Sequence, residues 1–290
     1  MRWIWLAVLA GCYHADTPAG SPCSSDADCP GGQTCAAQHC SLTGATIDDA
    51  PAVQDAALDA AVVHDARPID APPPPPLIQY KATTSAYVLQ NAPATTLTIA
   101  RPACATNGVM VAAIAMGSTG EATLPVYTAP TGWTLVRRSN RNTDSSLAVY
   151  THVSASEPAS YTWTFDVPIE GIGWISCYLN VDKTTPVDVE IGGPIESVGP
   201  TYAAPILTTT KANDLALAII IAHTTLAAAT TWTAPTNTTQ RIDYNNTTTR
   251  SGTQGDRPIA NVGSTGMIMT TASETQDYAI GEVLVLRQAP

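Results

Sequence analysis

Two pairs of acids fall where carbohydrate chemistry would want them. Asp188 and Glu190 stand two residues apart, on one face of a strand, and Asp166 and Glu170 flank a predicted loop. Two carboxyl groups a few ångströms apart can divide the acid and base roles of glycoside cleavage. The competing reading is an edge strand that carries charge to stay unpaired, and no residue is assigned a catalytic role. A serine hydrolase elbow needs Gly-x-Ser-x-Gly. The Gly-Ser-Thr-Gly stretches at 117–120 and 263–266 lack that spacing, so Ser118 and Ser264 read as turn residues. His152 and His223 read as half-buried, hydrogen-bonded side chains. There is no His-Glu-x-x-His and no histidine pair at metal spacing, so no metal and no cofactor is expected. Trp133, Trp163, Trp174 and Trp232 could offer aromatic faces to sugar rings, whose C–H patches they suit. Trp163 and Trp174 sit in apolar-patterned segments and are core candidates. Trp133 and Trp232 adjoin Ala-Pro-Thr turns and are the ligand-binding candidates, although core packing is the favoured reading even for them.

The chain opens Met-Arg-Trp-Ile-Trp-Leu-Ala-Val-Leu-Ala-Gly-Cys. A positive start, an apolar run and small residues before a cut are the parts of a secretory signal. Leu9-Ala10-Gly11-Cys12 resembles the lipobox of bacterial lipoproteins. That resemblance implies cleavage after residue 11, acylation of Cys12 and attachment to a membrane by lipid. Tyr13, where relatives retained in the inner membrane carry Asp, implies the outer membrane, with the protein facing the periplasm or the cell surface. No later apolar run approaches the ~18 residues of a spanning helix.

The other six cysteines sort by position. Cys23, Cys29, Cys35 and Cys40 form a tight group, separated by five, five and four residues. Zinc sites usually open with a closer pair. In an oxidising compartment the group predicts two disulfides of open connectivity. Cys104 and Cys177 supply a third if their strands lie side by side, within ~7 Å.

Charged residues make up only 13% of the chain, and hydroxyl and β-branched residues fill the gap. That composition suits exposed β-sheet. The net charge is −11. No basic stripe exists, which excludes nucleic acid as a partner. Residues 12–22 read as a tether and 23–40 as a Cys-rich module too small to bury a core. Such a module must be stapled, and it resembles short Cys-rich modules that follow the lipid site in secreted bacterial lipoproteins. Residues 41–76 form a linker in which Asp-Ala recurs at Asp49, Asp55, Asp59, Asp65 and Asp70 before the run Pro72 to Pro76. Acid, alanine and proline without aromatics cannot build a core, so the linker is expected to be disordered.

Residues 77–290 carry the strand signals. Tyr161, Trp163 and Phe165 alternate with threonines, and Ser146 to Val153 also alternates. Val109 to Met116 and Asp214 to Ala222 are continuous apolar runs, the mark of strands buried on both faces. Turn clusters divide these segments, among them Ser139 to Ser145. Many short strands with regular turns predict an all-β, jelly-roll-like β-sandwich. A weak internal two-fold repeat runs through it. Asn107-Gly108-Val109 echoes Asn213-Asp214-Leu215, and Ala129-Pro130-Thr131-Gly132 echoes Ala234-Pro235-Thr236-Asn237. The halves would be 77–195 and 196–290.

The phrases Ala-Pro-Thr-Gly-Trp-Thr-Leu-Val, Ser-Leu-Ala-Val-Tyr-Thr-His-Val and Ser-Glu-Pro-Ala-Ser-Tyr-Thr-Trp-Thr-Phe resemble a β-rich module of secreted bacterial and phage-associated proteins. The resemblance implies a fold and no catalytic pattern. Together these readings predict a lipid-anchored envelope protein whose head binds or adheres, to glycan or to another envelope protein. A carbohydrate-active hydrolase or lyase, and a structural envelope or appendage component, are the alternatives.

Overall fold

A computed structural model describes residues 23–29, 33–36, 38–42, 75–117, 124–225, 229–246 and 249–290. The signal, Cys12, most of the linker and Ser118 lie outside the described residues. The chain divides into two units, 1–70 and 71–290. No described helix is long and apolar enough to cross a membrane.

In the first unit a 3-10 turn, Asp26–Asp28, precedes a hairpin of β1 (Gln33–Ala36) and β2 (His39–Leu42). Disulfides join Cys23 to Cys35 and Cys29 to Cys40, with Cα atoms 5.8 and 5.5 Å apart. Polar contacts do the rest. The Asp28 carboxylate accepts the backbone N–H groups of Ser24 and Ser25, both at 2.9 Å, and Asp26 accepts that of Cys35 at 2.7 Å.

The second unit is all strand. Its first half holds β3 (Gln79–Val88), β4 (Ala94–Ala100), β5 (Val109–Gly117), β6 (Tyr127–Thr128), β7 (Thr134–Arg141), β8 (Ser145–Val153) and β9 (Ser160–Leu179). Its second half holds β10 (Val187–Ile195), β11 (Gly199–Ala204), β12 (Asp214–His223), β13 (Thr239–Asn245), β14 (Arg250–Ile259), β15 (Ile268–Gln276) and β16 (Tyr278–Leu286). The expected division after residue 195 is corrected here, because β10 pairs with β16 and so places the boundary between β9 and β10. Two antiparallel sheets form a sandwich, one ordered β3-β9-β5-β8-β7 and the other β10-β16-β12-β14-β13.

The two continuous apolar runs become β5 and β12, central strands of the two sheets. Alternate residues of each face opposite ways. Val109, Val111, Ala113 and Ala115 meet Leu215, Leu217, Ile219 and Ile221 in the core between the sheets. Met110, Ala112, Ile114 and Met116 face outward, yet they too are buried, under Leu97, Ile99, Tyr161 and Trp163. Ala218, Ile220 and Ala222 are covered in the same way by Tyr202, Trp232 and Ile268. Each sheet thus carries a small outer layer, β4, β6 and the start of β9 on one, β11 paired with β15 on the other. That explains why these strands lack a polar face.

Two local expectations need correction. Asp166 and Glu170 do not flank a loop, because β9 runs unbroken for 20 residues through both. Its first part pairs with β4 in the outer layer and its second part enters the main sheet between β3 and β5. The stretch Ser139 to Ser145 is not all turn: β7 continues to Arg141, and the reversal is confined to Asn142–Asp144. Polar strand residues survive there because Arg138 and Ser146 satisfy the Asn140 side chain, at 3.0 and 2.8 Å.

The halves share details of backbone geometry. Irregular registers occur between Leu135 and Arg137 in β7 and between Gln240 and Ile242 in β13. They recur between Ala94 and Thr96 in β4 and between Gly199 and Thr201 in β11. Asn107 and Asn213 both adopt the left-handed conformation before a central strand, and Gly132 and Asn237 do so after the Ala-Pro-Thr turns. Asparagine and glycine are the residues that tolerate it. A disulfide, Cys104 to Cys177, with Cα atoms 5.6 Å apart, pins the first half.

Candidate functional site

A mixed polar and apolar cleft lies beside Gly132 and Thr134, the neighbours of Trp133 in the chain. It has a volume of ≈ 540 Å³ and is lined by Gly132, Thr134, His152, Lys183, Thr185 and Val187 among others. A second hollow of ≈ 480 Å³, which includes Thr131, Glu157, Ser160 and Thr162, also borders His152. Volumes of this size suit small ligands.

His152 is held from both sides. Its Nδ1 donates to the Gly132 carbonyl at 2.7 Å, and its Nε2 lies 2.9 Å from Glu157 Oε1. Glu157 also accepts the Ala155 N–H at 2.6 Å and the Tyr161 hydroxyl. Burial alone would raise the Glu157 pKa, but the hydrogen bonds from Tyr161, Ala155 and His152 outweigh it and hold the group below its usual range. Burial raises the Tyr161 pKa well above that of a free tyrosine, and the neighbouring carboxylate adds to the shift. With both ring nitrogens engaged, His152 acts as a clamp and has no free nitrogen for a substrate proton.

Trp133 stacks on His152 at 5.2 Å and meets the edge of Tyr161 at 5.1 Å. It is only 8% exposed, and Trp232, against Tyr202 at 6.0 Å, is 4% exposed. Both rings are therefore packed, and both keep a buried Nε1 without a partner. Trp163 and Trp174 are fully buried. The residues that line the cleft beside Trp133 include four threonines (Thr134, Thr151, Thr184 and Thr185), Lys183 and the apolar Val136, Val153 and Pro186.

The remaining candidates are dispersed. His223 stacks on Tyr278 at 5.1 Å, and its Nδ1 is 3.4 Å from the Asp277 carboxylate without hydrogen-bond alignment. Burial and the nearby Arg250 push its pKa down to about 4, so the ring is neutral at pH 7. Ser264 is exposed and, against the turn expectation, forms an isolated antiparallel bridge with Thr208; its hydroxyl accepts the Gly266 N–H at 3.0 Å. Asp188 and Glu190 go to different partners. Asp188 accepts from Thr210, with Arg287 at 3.4 Å, while Glu190 pairs with Arg137 at 2.9 Å. Asp166 accepts the Val126 N–H at 2.8 Å.

Glu170 pairs with Arg250 at 3.1 Å where both side chains are almost inaccessible. Thr249 donates to the same carboxylate at 2.8 Å, and Arg250 also reaches Ser145 at 2.9 Å. This tie links β9 of one sheet to β14 of the other. A Cβ at Gly117 would fall 1.9 Å from the Arg250 guanidinium, so only glycine leaves room for it.

Sequence reasoning missed Arg250 and Glu282. Glu282 interrupts the apolar stretch of β16 and is 2% exposed. Burial, reinforced by the Glu190 charge, raises its pKa to about 8 against the opposing pull of Ser139 and Arg137. A lone charge inside an apolar strand was the available signal, but its partners lie far away in sequence. Comparison with family models, curated proteins and solved structures finds no match.

Proposed function

We propose that this chain is a cell-envelope lipoprotein, anchored through Cys12 in the outer membrane, whose β-sandwich head is a non-enzymatic binding or adhesion module. The acidic segment 41–76 then serves as the stalk. Leu9-Ala10-Gly11-Cys12 and the disulfide-rich unit support the export half of this reading. Disulfides persist in oxidising compartments and are rare in the cytosol.

One observation carries the binding half: the cleft beside His152. It offers hydroxyls, one ammonium and apolar side chains on a scaffold whose two sheets are buried on both faces. That mixture suits glycan, whose hydroxyls and C–H faces need both kinds of neighbour. The matched strand orders, register shifts and left-handed residues support a further reading, that the sandwich is a duplicated unit, each copy supplying one sheet. The jelly-roll form gives way on this reading, because each sheet comes from one contiguous half.

Cys12→Ser should move the protein from the membrane to the soluble fraction, read by fractionation and mass spectrometry. Persistent membrane attachment would argue against lipidation. The soluble variant on a glycan array should bind a defined subset, and Thr134→Val with Lys183→Ala should remove that binding. Turnover of a polysaccharide by the same preparation would overturn the non-enzymatic reading.

A further inference from the structure

Equivalent positions of the two halves partner their basic side chains differently. His152 of β8 lies opposite Met110 of β5, and Arg257 of β14 lies opposite Ala216 of β12. His152 is met by Glu157, five residues further on. Five residues beyond Arg257 stands Val262, which is 58% exposed.

Residues 75–290 contain eight arginines. Seven hold a hydrogen bond or ion pair: Arg101, Arg137, Arg138, Arg141, Arg241, Arg250 and Arg287. Arg257 holds none among the described residues, and its Nε is buried without a partner. Partial burial lowers its pKa, yet an arginine stays charged in any physiological medium. A partly desolvated cation with unused donors is costly unless a counter-charge arrives. Nη2 lies close to Gly266, where a Cβ would stand 3.6 Å from it, and Met267 beside that glycine is 57% exposed. A guanidinium fork against a side-chain-free glycine, with an exposed apolar residue next to that glycine in the chain, fits a carboxylate borne on a ring with C–H faces.

We propose that Arg257 is the anion-recognising group of a second ligand site on the head, and that it takes the carboxylate of an acidic polysaccharide of uronate type. The proposal rests on the binding-module reading above. The planar fork can meet a carboxylate with two parallel hydrogen bonds, which a lysine cannot reproduce.

The test uses the full chain carrying Cys12→Ser, titrated calorimetrically with oligogalacturonate and with a neutral cello-oligosaccharide of equal length. Oligogalacturonate should bind, and Arg257→Gln should weaken it by on the order of tenfold or more. Arg257→Lys should fall between, and raising salt from about 50 to 300 mM should weaken the parent. Val262→Glu supplies an internal counter-charge and should abolish uronate binding while the melting temperature holds or rises. That second variant separates loss of the site from loss of the fold. Uronate binding that ignores Arg257→Gln overturns the proposal, as does no uronate binding at all. If the neutral sugar binds in either case, the binding-module reading stands and only this site falls. Arg257-dependent binding of polyglutamate without uronate binding would also overturn the glycan assignment, in favour of an acidic peptide.

Discussion

The two halves of the head share a strand order and differ in what fills their outer layers. In the first, Trp133, Tyr150, Tyr161, Trp163 and Phe165 cover the sheet, and the His152–Glu157–Tyr161 cluster closes the end. In the second, Ala204, Ala218, Ala222 and Ala272 take much of the space, with Tyr202 and Trp232 as the large rings. The comparison teaches that turns and register shifts hold the backbone plan, while side-chain volume and charge are free to diverge. An aromatic layer buries far more apolar area per residue than an alanine layer. The Glu170–Arg250 tie, buried at both ends, joins the two halves.

Breaking the tie should therefore have the largest effect. Arg250→Ala leaves Glu170 buried and unpaired, and should cost about 3–5 kcal/mol in a denaturant titration. The double change Glu170→Gln with Arg250→Met should recover most of that loss. A double mutant as unstable as the single one would show that the arginine contributes through packing alone. Only the first half carries a disulfide. Replacing Cys104 and Cys177 by alanine should cost about 2–4 kcal/mol, seen as a lower denaturant midpoint.

Glu282 sharpens the comparison through pH. Its folded pKa, about 8, stands above the value of a free glutamate. The unfolded chain therefore loses that proton first as pH rises, and stability contributed by the group declines between about 4.5 and 8. Glu282→Gln should remove this decline, giving on the order of 1–3 kcal/mol more stability than the parent at pH 8 and little difference at pH 4.5. His223 acts in the opposite sense. Its pKa of about 4 lies below that of a free histidine, so its contribution is complete above about 6.5 and is lost as pH falls toward 4. Melting curves of Glu282→Gln and of His223→Gln across pH 4 to 9 would separate the two. The smallest effect belongs to His152→Asn, which should cost about 1–2 kcal/mol by losing the Glu157 contact and the Trp133 stack.

Much of the strand plan could be read in advance. The runs Val109 to Met116 and Asp214 to Ala222, and the alternating Tyr161, Trp163 and Phe165, became strands with the expected faces, because side-chain period is a local property. The site was less readable. Trp133 and Trp232 sit beside turns, so local pattern favoured core packing without excluding the surface, and the small outer layers that enclose them are built from segments far away in the chain. The loop expected between Asp166 and Glu170 failed for a related reason. One strand there serves two layers, and polar residues along it find partners across the molecule, such as Thr249 for Glu170.

Local chemistry, carried by period, turn residues and cysteine spacing, was enough to establish a strand-built head behind a stapled module. Long-range packing settled which charges meet. Glu170 and Arg250 lie 80 residues apart, and among the described residues Arg257 lacks the acid that His152 possesses. Such pairings depend on which strands the core brings together, and burial sets their electrostatic weight only after the sheets have closed.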